Sequence, residues 1–162
     1  MQDPVRKVMA LETALQWRET LAEGGRTLAV TNGCFDLLHR GHVEYLNRAR
    51  NEADALLVLV NSDASIRTVK GAGRPIINQD DRVYMLASLE STDAVVLFDT
   101  EHCTGLLGRI RPDVYVKGGD YTEETLVQEE YRLLKQMGCR VALLGLVEGM
   151  STTDIIRRIR ER

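Results

Sequence analysis

Two histidines three residues apart, His39 and His42, flank Arg40-Gly41 directly after the run Thr31-Asn32-Gly33-Cys34-Phe35-Asp36-Leu37-Leu38. Two imidazoles at this spacing fall on one side of a helical turn, so both can face one ligand. The segment before them, Thr27-Leu28-Ala29-Val30, is strand-like, and Val43, Leu46 and Ala49 after them recur at helical spacing. A strand that stops at a Gly-containing turn and reopens as a helix leaves the first backbone N–H groups of that helix unpaired. Anions bind at such a place. Free amides beside two imidazoles point to a nucleoside triphosphate. The competing reading, a capped helix with two surface histidines, is disfavoured by the glycine between them and the strand–Asn–Gly turn before them.

Three further stretches carry usable chemistry. Arg67-Thr68-Val69-Lys70-Gly71-Ala72-Gly73-Arg74-Pro75 is basic, glycine-rich and short of apolar anchors. It is predicted to be a mobile loop that brings Lys70 over the phosphates. Lys117-Gly118-Gly119-Asp120-Tyr121 follows a strand and puts a cation next to glycines that let the backbone approach a ligand. Ser151-Thr152-Thr153-Asp154 reads as an N-cap with an acidic third helical position, a second amide-rich helix start. Arg157, one turn in, is placed to reach a phosphate. Arg158, Arg160 and Arg162 suit the negative end of that helix and are read as structural.

What is missing narrows the reaction. No Gly-x-x-x-x-Gly-Lys-Ser/Thr loop is present, which disfavours γ-phosphoryl transfer. No Gly-x-Gly-x-x-Gly follows the first strand, which disfavours a dinucleotide cofactor. Attack on the α-phosphate with departure of pyrophosphate remains. If the acceptor is itself a phosphate monoester, its oxygen is already ionised near neutral pH. Neither a general base nor a covalent nucleophile is then needed, only positive charge and N–H donors around an anionic transition state. His39, His42, Lys70 and a Mg²⁺ ion carried mainly by the triphosphate would supply these, with no protein metal site. Cys34 sits in the turn for its backbone N–H and not as a nucleophile.

The elements that must position these groups alternate. An amphipathic helix over about 8–23, with Leu11, Ala14, Leu15, Leu21 and Ala22 inward and Trp17 near them, ends at Gly24-Gly25 and covers the sheet. Ala55–Val60 is a near-continuous apolar run, as in a strand buried on both faces, and Asn61-Ser62-Asp63 lies at its carboxyl end. Helices are predicted at 80–88, 102–109 and 123–137, and strands at 94–98, 114–116 and 140–144. Arg82 falls in the first turns of one helix; Ile155, Ile156 and Ile159 are predicted to line the buried side of the last. His102 is given a surface or capping role. The alternation predicts a Rossmann-like α/β fold, a doubly wound parallel five-stranded sheet with helices on both faces.

The 162 residues fit one domain over 1–162, with 1–25 forming the covering helix. A net charge of −3 leaves no basic footprint for nucleic acid. No apolar run approaches a membrane span, and no signal-peptide core is present. Cys34, Cys103 and Cys139 are odd in number and widely spaced, as free and mostly buried thiols of a reducing cytoplasm.

From Thr31 to Ile159 the chain resembles the cytidylyltransferase-like nucleotidyltransferase family. The stretches that carry the resemblance are Asn32-Gly33-Cys34-Phe35-Asp36, His39-x-Gly41-His42, Val60-Asn61-Ser62-Asp63, Lys70-Gly71 with Arg74-Pro75, Val116 to Tyr121, and Glu148-Gly149-x-Ser151-Thr152-Thr153. The Lys-Gly-Gly-Asp-Tyr run is the most discriminating and resembles the branch that makes ADP-heptose from ATP and D-glycero-β-D-manno-heptose 1-phosphate. The resemblance implies catalytic roles for His39, His42 and Lys70, with Lys70 bridging nucleotide and acceptor. It implies nucleotide contacts from Asn32, Gly33, Cys34, Phe35, Gly41, Lys117, Gly118, Asp120, Ser151, Thr152 and Thr153. On the acceptor side it implies Asp63, Arg67, Arg74 and Asp36, of which Asp36, like Arg82, supports the site more than it touches substrate. A homodimer is also implied, and a sugar kinase, fused in many relatives, would be a separate protein. Glycerol-3-phosphate cytidylyltransferases share two of the stretches, but Leu146-Val147 and the Lys-Gly-Gly-Asp-Tyr run depart from their pattern. A nucleotide-binding regulatory module without turnover is disfavoured because both histidines and Lys70 are present.

Overall fold

The computed structural model describes residues 3–145 and 151–161. Five strands, β1 (Leu28–Gly33), β2 (Ala55–Asn61), β3 (Ala94–Phe98), β4 (Val114–Gly118) and β5 (Arg140–Leu144), form one parallel sheet in the order β3-β2-β1-β4-β5. Parallel strands need crossovers, and the helices lie on both faces of the sheet. They are α1 (Leu11–Glu23), α2 (Arg40–Arg50), α3 (Asp63–Lys70), α4 (Gln79–Ala87), α5 (Thr104–Ile110), α6 (Gln128–Gln136) and α7 (Thr152–Arg160). All seven residues of β2 are buried, as its unbroken apolar run requires. Strand alternation sends Leu28, Val30 and Tyr115 to the layer of α1, α5 and α6, and Ala29, Val114 and Val116 to the layer of α2 and α4.

The direction of winding reverses between β1 and β4, and the two strands part there. Six residue pairs join β1 to β2, running through Gly33↔Val60, whereas β1 and β4 pair only at Ala29↔Val114 and Val30↔Tyr115. Beyond that point their ends diverge and open a crevice at the carboxyl edge, the usual ligand position in such sheets.

Several boundaries depart from the sequence reading. Residues 8–10 are extended and not helical, because Val8 bridges to Val95 and the Met9 N–H donates to the Val95 carbonyl at 2.9 Å. Ala22 is exposed and not inward. Strands β1 and β4 run two or three residues further than predicted, so Asn32-Gly33 ends a strand and does not form a separate turn. Residues 67–70 are helical and not a mobile loop. Ser62 caps α3 by accepting from the Ser65 N–H at 3.2 Å, Ile66 is fully buried, and the helix ends only at Gly71 with φ +89°. The basic, exposed second half hid a helix whose start signal lies earlier. Helix α6 begins at 128 and not 123, because Gln128 Nε2 donates to the carbonyls of Glu123, Glu124 and Leu126 and holds those residues in a turn. In α7 no residue is fully buried, and Ile159 is 66 % exposed, against the expected apolar inner face. Leu146 to Met150, which include the Glu148-Gly149 pair, and Arg162 lie outside the described residues.

Candidate active site

Helix α2 starts with His39 as its N-cap in extended conformation, so the amides of its first turn point into the crevice. The His39 and His42 rings lie 3.9 Å apart, centroid to centroid. The His39 backbone N–H donates to His42 Nδ1 at 3.4 Å, which leaves the other ring nitrogen of His42 to carry the N–H. Phe35, held at φ 47°, sets its ring edge-on to His42 at 5.5 Å. His39 Nδ1 is buried and has no hydrogen-bond partner among the described residues.

Gly33, Cys34, Phe35, His39, Gly41 and His42 form one wall of a cleft of about 550 Å³. Lys70, Asp36 and Arg74 close one end, and Ser151, Thr152 and Thr153 border the same space. The Ser151 hydroxyl accepts from the Asp154 N–H at 3.0 Å and donates to Asp154 Oδ2 at 2.8 Å. The cap is thus spent on the Asp154 N–H within α7. Arg157 pairs with Asp154 and Glu161 on the helix surface and is not aimed at the cleft.

Two buried charges hold this wall in place. The Arg82 guanidinium, fully buried, donates to the carbonyls of Cys34 (2.6 Å), Asn61 (2.8 Å) and Ile77 (3.0 Å) and to Asp63 Oδ1 (2.8 Å). It joins the β1 exit, the β2 exit and the segment after α3. Asp36 Oδ1 accepts from the Ile76 and Ile77 N–H groups at 2.7 and 3.0 Å, and its Oδ2 lies 2.9 Å from Arg74 Nε. Asp36 therefore anchors residues 74–77 and faces protein, in keeping with a supporting position. Asp36→Ala is expected to cost about 2 kcal/mol and to expose residues 71–77 to proteolysis; an unchanged melting temperature and cleavage rate would refute this anchoring.

The opposite wall comes from the α5–α6 side. Lys117 Nζ donates to Asn32 Oδ1 at 2.6 Å, and the Tyr115 hydroxyl donates to the same oxygen at 2.7 Å. Behind them the buried Glu130 carboxylate accepts from the Cys103 N–H at 2.8 Å and the Cys103 thiol at 3.2 Å. Glu101 and His102 border the cleft here, with half-exposed side chains. Between the walls, the Tyr45 hydroxyl bridges Thr31 Oγ1 (2.6 Å) and the Val116 carbonyl (3.0 Å). Its ring fills the space beside Gly118, where an added Cβ would come within 2.4 Å.

The cleft thus gathers His39, His42, Lys70, Asn32, Gly33, Cys34, Phe35, Gly41, Lys117, Gly118, Asp36, Arg74 and Ser151 to Thr153. Asp63, Arg67 and Asp120 do not line it: Asp63 is paired with Arg82, and Arg67 and Asp120 face outward. Tyr45, Asn61, Glu101, His102, Tyr121 and Glu130 line it without having been singled out for chemistry. His102 belongs to a cleft wall, while Cys103 is the N-cap of α5. Asn61 and Tyr121 lie in stretches quoted from the sequence without a role of their own, and Glu130 shows there only as an acidic residue in the first turn of α6.

Burial lowers the pKa of His42 from 6.5 to about 4, helped by the neighbouring His39 and Lys70 and opposed by the Leu37 carbonyl; His39 is lowered by burial too. Both rings are neutral at pH 7 in the free protein and offer N–H groups. Between pH 6.5 and about 4 the unfolded chain binds a proton at His42 that the folded chain does not. Stability is therefore complete above pH 6.5 and falls as pH falls, by about 2 kcal/mol at pH 5. Urea midpoints at pH 7 and pH 5 should move less in His42→Asn than in the wild type; equal slopes would contradict a depressed His42.

Residues 30–158 match the cytidylyltransferase-like family. The bifunctional protein HldE of Syntrophotalea carbinolica is 47% identical over 156 residues, 96% of this chain and 31% of that protein. The chain spans about a third of the length of such curated relatives. The crystal structure of a lipopolysaccharide core biosynthesis protein from Thermoplasma volcanium superposes with a TM-score of 0.61 at 25% identity, covering 76% of this chain and 98% of that one. Pantoate-beta-alanine ligase from Francisella tularensis, complexed with beta-gamma ATP and beta-alanine, gives a TM-score of 0.64 over 96% of this chain and 78% of its own. At 13% identity that likeness concerns the fold alone.

Proposed function

The chain belongs to the cytidylyltransferase-like family, and we propose that it transfers AMP from ATP to a sugar 1-phosphate, with pyrophosphate as the second product. The observation that carries the reading is the pair of imidazoles at the open start of α2, in one cleft with Lys70 and the start of α7. Two amide-rich helix starts suit a triphosphate. An acceptor phosphate oxygen attacks the α-phosphorus in line, the bond to the bridging oxygen breaks, and its electrons leave with pyrophosphate. His39, His42 and Lys70 hold the charge that builds on the non-bridging oxygens.

The acceptor assigned is D-glycero-β-D-manno-heptose 1-phosphate and the product ADP-heptose, a step of lipopolysaccharide biosynthesis. The Lys117-Gly118-Gly119-Asp120-Tyr121 resemblance and the HldE relatives support it. Among the described residues no group of three His, Cys, Asp or Glu is placed to hold a metal ion. A Mg²⁺ ion carried mainly by the triphosphate would neutralise charge on the phosphates. Three free cysteines suit a cytoplasmic setting, and the family resemblance stands behind a homodimer. Among the described residues, no helix is long and apolar enough to cross a membrane.

The test is a matrix of ATP, CTP, GTP and UTP against heptose 1-phosphate, other sugar 1-phosphates and glycerol 3-phosphate, scored for pyrophosphate. Release with ATP and heptose 1-phosphate is the expected result. Release with CTP and glycerol 3-phosphate alone would reassign both substrates, and ATP binding without pyrophosphate in any well would mark a regulatory module.

A further inference from the structure

The two walls of the cleft differ in chemistry. The α2 wall offers imidazole N–H groups and helix amides with no carboxylate among them, and suits an oxygen-rich anion. The α5–α6 wall mixes donors with carboxylates. Strand alternation explains the division: Thr31 and Val116 turn toward Tyr45 of α2, whereas Asn32, Tyr115 and Lys117 turn toward α5 and α6. Glu101 and Glu130 on this second wall would repel a triphosphate. A molecule with several hydroxyls, each both donor and acceptor, pairs with such a mixture.

We propose that Asn32 and Lys117 face the phosphate acceptor and not ATP, and that Glu130 is the positioning residue that holds them there. Asn32 Oδ1 is taken by the Lys117 ammonium and the Tyr115 hydroxyl, so its amide NH₂ is turned to the cleft. Lys117 spends one N–H on Asn32 and another, at 3.5 Å, on the Tyr115 oxygen. Among the described residues its third has no acceptor. Glu130 is only 4 % exposed and is fixed by the Cys103 N–H and thiol, with Oε2 3.4 Å from the Tyr115 hydroxyl. Burial lowers the Lys117 pKa, and Cys103 and Glu130 oppose that lowering. Glu101 and His102 border the same wall and can accept from hydroxyls. The subsite would take a polyhydroxylated phosphate and disfavour an acceptor that is short and bare, such as glycerol 3-phosphate.

This deepens the adenylyltransfer reading and rests on it, but its test separates the two. Equilibrium binding of ATP alone is measured first, on wild type, Lys117→Met and Asn32→Ala, with circular dichroism to establish folding. The ATP Kd is expected to stay within about 2-fold; a 10-fold loss would hand both residues back to the nucleotide. Steady-state kinetics then compare KM values. Lys117→Met and Asn32→Ala should raise the acceptor KM about 10-fold or more, with the ATP KM nearly unchanged. Glu130→Ala should reproduce that split more weakly, and Glu130→Gln, which still accepts the Cys103 N–H, should recover part of it. An acceptor KM untouched in all four variants, or an equal fall in stability and kcat with both KM values unchanged, overturns the proposal. Wild-type enzyme that binds ATP yet releases no pyrophosphate would instead overturn the adenylyltransfer reading.

Discussion

His42→Ala is expected to lower kcat by about 10²–10³, the usual loss when one preorganised donor to a developing oxyanion is removed. The ring lies against Phe35 and His39 at the cleft wall, outside both core clusters, so the secondary structure and cooperative unfolding should persist. The KM for ATP should move far less than kcat, because the donor acts on charge that grows only toward the transition state. At pH 7 the imidazole is neutral in the free protein, so its contribution there is an N–H and not a fixed charge. His42→Gln, which also carries N–H donors, should therefore recover part of the rate. The measurement is pyrophosphate release under saturating ATP and heptose 1-phosphate. Wild-type turnover in His42→Ala would remove the imidazole from the mechanism.

Arg82→Met tests the scaffold in the same way. Its guanidinium has no exposure and serves three carbonyls and one carboxylate. Removing it leaves Asp63 without its cation and takes a donor from three carbonyls at least partly buried, a loss of about 3–5 kcal/mol. Arg82→Lys should recover little, since one ammonium on a flexible stem cannot span acceptors on the β1 exit, the β2 exit and residue 77. Denaturant unfolding reads the result directly. A midpoint close to wild type in either variant would show that the buried charge is dispensable.

How much of this was legible beforehand follows from how local each cause is. The sheet was legible because apolar runs such as 55–60 and 94–98 are set by burial on both faces, which composition reveals. The start of α2 was legible because cap, glycine and histidines sit within a few residues of each other. Residues 67–70 misled because their helix is nucleated by Ser62 and Ile66, upstream of the basic stretch that looked like a loop. Asp63, Arg67 and Asp120 resisted for another reason. A polar residue near a strand's carboxyl end can turn to the crevice, to the protein or to water, and Arg82, far along the chain, claims Asp63. The Glu130 brace joins α6 to β4 and the residue before α5, a long-range arrangement that no spacing encodes.

Where the β1–β4 ladder ends after Val30 and Tyr115, side chains take over from main chain on both sides of the fork. The phenol of Tyr45 stitches one face, and the Lys117–Asn32 contact stitches the other. The gap is therefore a jaw propped at a set width before anything enters it. A guest meets a mouth that need not be pried open, and the free energy of docking can go to alignment of the reacting phosphates in place of ordering the host.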